Sequence, residues 1–364
     1  MAFCQALKGD AKMPNPLYEK AMDYKNLKGS YKRTQQAQRK YRKEAIIFDM
    51  AREKNLVKLW RELKNETYMP SDYIEFKVYE PKERVIHAPR IRDKIVQFAA
   101  HTVLQEVYYN KFIDSSYACL VGRGTHKAVQ KVQHDMKYVK WKYGDGWILK
   151  MDVRKFFYSI NRDILKQILR KKIKDDKFLN LLDKIIDSSP EGEKGIPLGN
   201  VTSQDFANIY MNEVDQYATR YLGLKYYVRY MDDIIVILKT KEEAQKAKEN
   251  ITSFLKERLD LETNSKTKIF PLSQGVNAYG FKIFTTHKLV RDSSKAAMKR
   301  RIKAMDKKVQ RGEMTTKEVQ QSVNSWLGHA RHSNSYNLSK KIFSKYNYIE
   351  VENPKFKFGN LSTQ

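Results

Sequence analysis

Arg229-Tyr230-Met231-Asp232-Asp233-Ile234-Ile235-Val236-Ile237 is the stretch whose reading decides the fold. Apolar and β-branched side chains flank an adjacent pair of carboxylates, a pattern that predicts strand, two-residue turn, strand, with the acids at the bend. Two carboxylates at a hairpin tip suit a hard cation such as Mg²⁺, which keeps several waters and takes further ligands from a substrate's phosphates. A third acid, Asp152, closes the apolar run Trp147-Ile148-Leu149-Lys150-Met151-Asp152-Val153. Taken alone, Asp232-Asp233 also fits a plain hydrophilic turn; the motifs elsewhere in the chain weigh against that reading.

Working outward, 364 residues are too many for one small domain and suit lobes around a shared cleft. Seventy Lys and Arg against 42 Asp and Glu give a net charge of +28, and 23 Tyr lie among the basic residues. A chain of this kind suits a polyanion with exposed bases, because cations neutralise phosphates and aromatic faces stack on unpaired bases. Cys4 and Cys119 are the two cysteines; without paired spacing they predict neither a disulfide framework nor a zinc site, and a reducing compartment. No apolar run approaches the ~18 residues of a membrane span, and no secretory signal opens the chain. A cytoplasmic protein with no membrane partner is expected.

In chain order, a polar segment to about residue 15 precedes a helical pattern over about 17–64. Ile46, Ile47, Met50, Leu56, Leu59, Trp60 and Leu63 form its predicted buried stripe. Glu75 to Glu80 and Arg84 to Ala88 read as a hairpin, with Lys82 and Arg84 near its turn. A helix follows from Arg90 to about Asn110, with Ile91, Ile95, Phe98, Val103 and Val107 as its core face, and another begins at Thr125. Gly122 and Gly124 are not a phosphate loop, since the Lys-Ser/Thr such a loop needs is missing. His126 reads as a packed or capping residue.

Tyr230-Met231-Asp232-Asp233, preceded by Asp152-x-x-x-x-Phe157, resembles the reverse transcriptase family, and Arg90 to Gln97 is similar to a block of group II intron and retroelement members. The resemblance implies an α/β (α+β) right-hand polymerase: fingers and palm, built as an antiparallel sheet with packed helices, and a small helical thumb. The implied boundaries are an N-terminal basic helical extension at 1–70, fingers at 71–145, palm at 146–284 with a fingers segment at about 162–200, and thumb and tail at 285–364. It implies a two-metal Mg²⁺ site, in which Mn²⁺ can substitute, held by Asp152, Asp232, Asp233 and the Val153 carbonyl. Lys82 and Arg84 match the residues that grip the incoming triphosphate, a task suited to Arg's bidentate fork. Phe157 matches a steric gate against the ribose 2′-hydroxyl. Lys266, in Thr263-Asn264-Ser265-Lys266-Thr267-Lys268-Ile269, matches a proton donor to pyrophosphate, and Gly280 a primer-grip glycine.

Gly195-Ile196-Pro197-Leu198-Gly199-Asn200-Val201-Thr202-Ser203-Gln204, followed by a helix from Asp205, narrows the resemblance. Many members carry Pro-Gln-Gly here and end the block in Ser-Pro. Leu198 and Gln204 depart from both, as in the reverse transcriptases of diversity-generating retroelements, and both are assigned to nucleotide binding. An aliphatic Leu198 cannot supply a positioning hydrogen bond, which weakens discrimination between correct and incorrect pairs. Ser325-Trp326-Leu327-Gly328-His329-Ala330 also resembles the end of that group.

The expected function is error-prone, adenine-mutagenised copying of a template repeat RNA into cDNA that diversifies a target gene. Template RNA, RNA–cDNA duplex, deoxynucleoside triphosphates and an accessory basic oligomeric protein are the implied partners, in a bacterial or phage-encoded setting. No RNase H domain and no Cys/His-rich endonuclease tail is expected after the thumb. A bacterial anti-phage defence reverse transcriptase and a maturase-like RNA-binding protein are the alternatives.

Overall fold

The computed structural model describes residues 16–36, 43–79 and 83–351. Cys4 and Lys82 lie outside them. The chain divides into two units: one takes the segments up to Leu120, Asp152–Gly223 and Asn250–Ser265, the other Val121–Met151, Leu224–Glu249 and the chain from Lys266 onward.

The first unit is built on helix α5. Helices α1 (Pro16–Met22), α2 (Tyr24–Thr34), α3 (Lys43–Met50) and α4 (Arg52–Lys64) precede the antiparallel hairpin β1 (Ile74–Val78) and β2 (Arg84–Ala88); α5 (Ile91–Tyr108) follows. Ile95, Val96, Ala99, Ala100, Val103 and Leu104 of α5 are buried where α1, α2 and, later in the chain, α10 pack. Ala99 and Ala100, small residues among these branched ones, let the helices approach closely. The predicted 17–64 stripe holds only in part: Leu56, Leu59 and Leu63 are buried, but Ile46, Ile47 and Met50 are exposed. The helix breaks at Ala51, which has φ −129°, so the two halves do not share one helical phase.

In the second unit, α6 (Thr125–Tyr143) packs on a four-stranded sheet. Its strands are β3 (Trp147–Asp152), β4 (Tyr227–Tyr230), β5 (Asp233–Leu238) and β6 (Lys268–Pro271), in the order β4-β5-β3-β6; Asp152 itself belongs to the first unit. Between β3 and β4, in the first unit, come α7 (Phe156–Ser159), α8 (Arg162–Lys172), α9 (Asp176–Asp187) and α10 (Val201–Gln216). Helix α10 starts at Val201, four residues before the expected Asp205, so Gln204 lies in its first turn. Helix α11 (Lys241–Leu259) links β5 towards β6.

A three-stranded sheet of β7 (Val276–Ala278), β8 (Phe281–Ile283) and β9 (Lys288–Val290) leads to α12 (Asp292–Gln310), α13 (Thr316–Ala330) and α14 (Tyr336–Phe343). These helices close on Met298, Ile302, Met305, Val319, Val323, Leu327, Ile342 and Phe343. A capping box between Thr315 and Glu318 starts α13. Among the described residues no helix is long and apolar enough to cross a membrane.

Candidate active site

The β4–β5 hairpin forms as its apolar flanks dictate. Tyr227, Val228 and Ile234 to Ile237 are buried, pairing runs from Tyr227↔Val236 to Tyr230↔Asp233, and Met231 and Asp232 remain as the turn. Met231 has φ 58° and Asp232 is not in the positive-φ region, the sign pattern of a type II′ turn, whose twist matches the strands. A left-handed methionine costs on the order of 1–2 kcal/mol, so the turn needs support. Arg229, fully buried, supplies it: Nη1 donates to the Met231 carbonyl at 2.9 Å.

Lys150, on β3, places its Nζ 3.5 Å from Asp233 Oδ1 and donates to the Asn277 carbonyl at 2.9 Å. The Tyr230 hydroxyl accepts from Thr125 Oγ1 at 3.2 Å, and its ring lies 5.1 Å from that of Tyr279. Tyr279 and Gly280 join β7 to β8 as a two-residue turn with both φ positive, 53° and 89°, the type I′ pattern. A Cβ on Gly280 would come within 2.9 Å of His329 Cε1. His329 in turn stacks on Phe281 at 4.4 Å, and His126, an exposed residue, stacks on His332 at 3.6 Å. Burial, with His126, Lys288 and His329 nearby, holds the His332 imidazole below its ordinary pKa.

In the other unit, the chain from Asp152 pairs with residues 262–264. Asn264 N–H donates to the Asp152 carbonyl at 2.7 Å and Arg154 N–H to the Glu262 carbonyl at 2.8 Å, flanking the antiparallel bridge Val153↔Thr263. In this pattern Val153 turns its own amide and carbonyl to the opposite side of the strand. Asn264 also donates through its side chain, Nδ2 to Asp152 Oδ2 at 3.1 Å.

Phe157 lies on α7, its ring edge-on to Phe156 at 5.5 Å. Its carbonyl accepts from Ile196 N–H, and the Ile160 carbonyl from Gly195 N–H, each at 2.8 Å. Gly195 has φ 96°, and a Cβ there would come within 2.9 Å of the Tyr158 carbonyl oxygen; only glycine fits. The segment leading into half-buried Leu198 is thereby tied to the turn that carries Phe157. Tyr158 also reaches β2, its hydroxyl 3.5 Å from the Val85 carbonyl. Arg84, at the start of β2, is exposed.

Gln204, Asn200, Gln97, Lys94, Phe76 and Ile86 are among the residues lining a cavity of about 500 Å³ in this unit. Gln97 and Asn200 are themselves buried, and Asn200 Nδ2 donates to the Tyr73 hydroxyl at 2.7 Å. Lys266, by contrast, is exposed in the turn before β6.

Among the described residues no three His, Cys, Asp or Glu side chains are grouped to hold a metal ion. Mg²⁺ is commonly bound by one or two carboxylates together with waters and substrate phosphates, and the carboxylates of Asp152, of Asp232 and of Asp233 are each oxygen donors of the type a hard divalent ion takes.

Residues 77–331 match the family model of reverse transcriptase (RNA-dependent DNA polymerase). The chain belongs to that family. Its mixed α and β architecture with antiparallel sheets is the right-hand polymerase class expected from the sequence.

Protein YkfC of Escherichia coli is 28% identical over 60% of this chain and 67% of its own length. The group II intron-encoded protein LtrA of Lactococcus lactis is 24% identical over 64% of this chain and 50% of its own length. The chain thus spans half of LtrA. Among solved structures, telomerase from Candida albicans in complex with a fragment of telomeric RNA aligns with a TM-score of 0.48 at 11% identity, over 66% of this chain and 51% of that chain.

Three residues beside the quoted reverse transcriptase motifs were not singled out from sequence: Arg229, Lys150 and Asn264. A charged side chain inside an otherwise apolar strand marks the first two. Asn264 stands in the block read for Lys266, and nothing in that block points back to Asp152.

Proposed function

We propose that this reverse transcriptase copies a template repeat RNA into error-prone cDNA, with misincorporation concentrated opposite adenine, for diversification of a target gene. The observation that carries the reading is Leu198, an aliphatic residue on the segment tied by the Ile196–Phe157 backbone bond to the proposed steric gate. A side chain there that cannot hydrogen-bond gives no reward for correct geometry. The boundaries proposed from sequence, with fingers at 71–145, palm at 146–284 and thumb at 285–364, accompany this reading.

In the proposed site Asp152, Asp232, Asp233 and the Val153 carbonyl hold Mg²⁺, with Mn²⁺ as a substitute. When bound, such an ion stabilises phosphoryl charge as a Lewis acid. Asn264 orients the Asp152 carboxylate. Arg84 pairs with the incoming triphosphate, and Lys82, outside the described residues, is assigned the same task. The Phe157 ring takes the space of a 2′-hydroxyl, Lys266 gives a proton to pyrophosphate, and the Tyr279-Gly280 turn supports the primer. Leu198 and Gln204 border the nucleotide. The template RNA, its cDNA duplex and an accessory basic oligomeric protein are the proposed partners, in a bacterial or phage-encoded, cytoplasmic setting.

Similarity to the intron-encoded LtrA favours one second reading, a maturase-like RNA-binding protein. Primer extension on a defined RNA template with Mg²⁺ and four deoxynucleotides, with cDNA errors counted by template base, separates these readings. Errors concentrated opposite adenine are expected. Faithful product removes the diversifying role and leaves a defence enzyme as the alternative; RNA binding without product, on native RNA with its partner, supports the maturase-like reading.

A further inference from the structure

Four aromatic side chains of the second unit gather on its surface. Tyr138 and Trp141 lie on the last turns of α6, Tyr143 ends that helix, and Tyr226 stands just ahead of β4. Helix α6 turns Val132, Met136 and Val139 inward, which places Tyr138, Trp141 and Lys142 on its outer face. Trp141 is 79% exposed, far more than a packed indole.

The rings make a splayed group. Tyr138 lies 5.7 Å from both Trp141 and Tyr226, at tilts of 53° and 43°, so none covers another's face. Lys142 Nζ sits 5.9 Å from the Tyr138 centroid and 5.4 Å from that of Tyr143. Lys137, Lys140 and Lys225 are exposed nearby in sequence. The local acids are committed: Asp135 is buried and bonded to Lys131 at 2.6 Å, Glu243 pairs with Lys239 at 3.0 Å, and Asp145 accepts from Gly146 N–H at 2.8 Å.

We propose that this platform, Tyr138, Trp141, Tyr143 and Tyr226 with Lys140, Lys142 and Lys225, binds an unpaired stretch of single-stranded nucleic acid. Every base has a π-face, so stacking on Trp141 and Tyr138 is sequence-tolerant, and the interleaved ammonium groups meet the phosphates between stacked bases. An apolar protein partner would need a contiguous apolar patch, whereas here lysines interrupt the rings. The site is a nucleic-acid contact separate from Asp152, Asp232 and Asp233, and does not depend on their roles.

The test uses the intact chain and a 12-nucleotide oligo(rU), read by tryptophan fluorescence at low salt, with primer extension on a short template as a parallel measurement. Trp141, the most exposed tryptophan, should be quenched on binding. Trp141→Ala should abolish that quench and weaken oligonucleotide affinity about tenfold, the scale of one lost base–aromatic stack. Trp141→Phe should retain most of the affinity, Lys142→Glu should lose it more steeply at low salt, and all three should extend primers on the short template at the wild-type rate.

Unchanged oligonucleotide affinity in Trp141→Ala would overturn the proposal, as would equal losses in the Ala and Phe variants. So would a Trp141→Ala chain that keeps its nucleic-acid affinity but no longer binds a purified protein partner. Failure of primer extension in the wild-type chain would instead count against the polymerase reading.

Discussion

Asn264 holds Asp152 by two bonds at once: its backbone N–H donates to the Asp152 carbonyl at 2.7 Å, and its side-chain Nδ2 to the Asp152 carboxylate at 3.1 Å. The first fixes the strand and the second aims the acid. Asn264→Ala keeps the first and removes the second, a charge-assisted bond worth about 1.5–3 kcal/mol. Primer-extension kcat/KM should therefore fall about ten- to a hundredfold, and Tm should fall as well, because the same bond contributes to folding. Asn264→Asp, which sets a like charge against Asp152, should fall further. Wild-type kinetics in both variants would remove the orienting role.

Phe157 is held at its backbone by Ile196, so removing the ring leaves the turn in place. Phe157→Ala should raise ribonucleotide incorporation relative to deoxynucleotide by at least about tenfold, since a steric clash is lost and not a binding contact. Competition between matched nucleotides in a single-turnover assay measures the ratio. A ratio equal to wild type would show that another group excludes the 2′-hydroxyl.

Leu198→Gln replaces an aliphatic side chain with an amide of similar length. Because Leu198 is half-buried and not in the packed core, the fold should tolerate the change. Errors opposite adenine should drop several-fold while errors at other template bases change little, as counted by sequencing the cDNA. A uniform change across bases would place the source of error elsewhere.

His332, stacked on His126 at 3.6 Å, should make stability respond to pH. Burial, with His126, Lys288 and His329 as neighbours, lowers the His332 pKa from its ordinary 6.5. A base whose folded pKa is depressed binds fewer protons folded than unfolded. Its contribution is thus present above pH 6.5 and lost as pH falls through the lower, folded pKa. The wild-type Tm should fall more steeply on acidification below pH 6.5 than that of His332→Gln, with unfolding followed by circular dichroism across that range. Parallel curves would exclude His332 as the source.

The hairpin at Asp232-Asp233, the strand ending at Asp152 and most helices were legible because burial imposes a local period on the side chains. The bonds that organise the site carry no such period. Ile196 meets Phe157 through backbone atoms, and Asn264 meets Asp152 across 112 residues, so neither leaves a pattern that neighbouring residues reveal. The stripe through Ile46, Ile47 and Met50 misled for a related reason. Its spacing was helical, but the break at Ala51 rotates it out of phase with Leu56, Leu59 and Leu63. Helix α10 starts at Val201 behind Asn200, a residue type favoured at helix starts, although its side chain makes no capping bond.

The central claim is that the acids on β3 and on the β4–β5 turn perform templated synthesis. The most direct measurement is primer extension on RNA by wild type and Asp232→Ala, with RNA affinity measured on the same preparations. Wild type should extend the primer, and Asp232→Ala should lose activity by at least about a thousandfold, on the scale of removing one principal charge-stabilising group, while RNA affinity changes less than about twofold because the lost carboxylate makes no favourable contact with phosphate. Synthesis by Asp232→Ala at a rate near wild type would contradict the account.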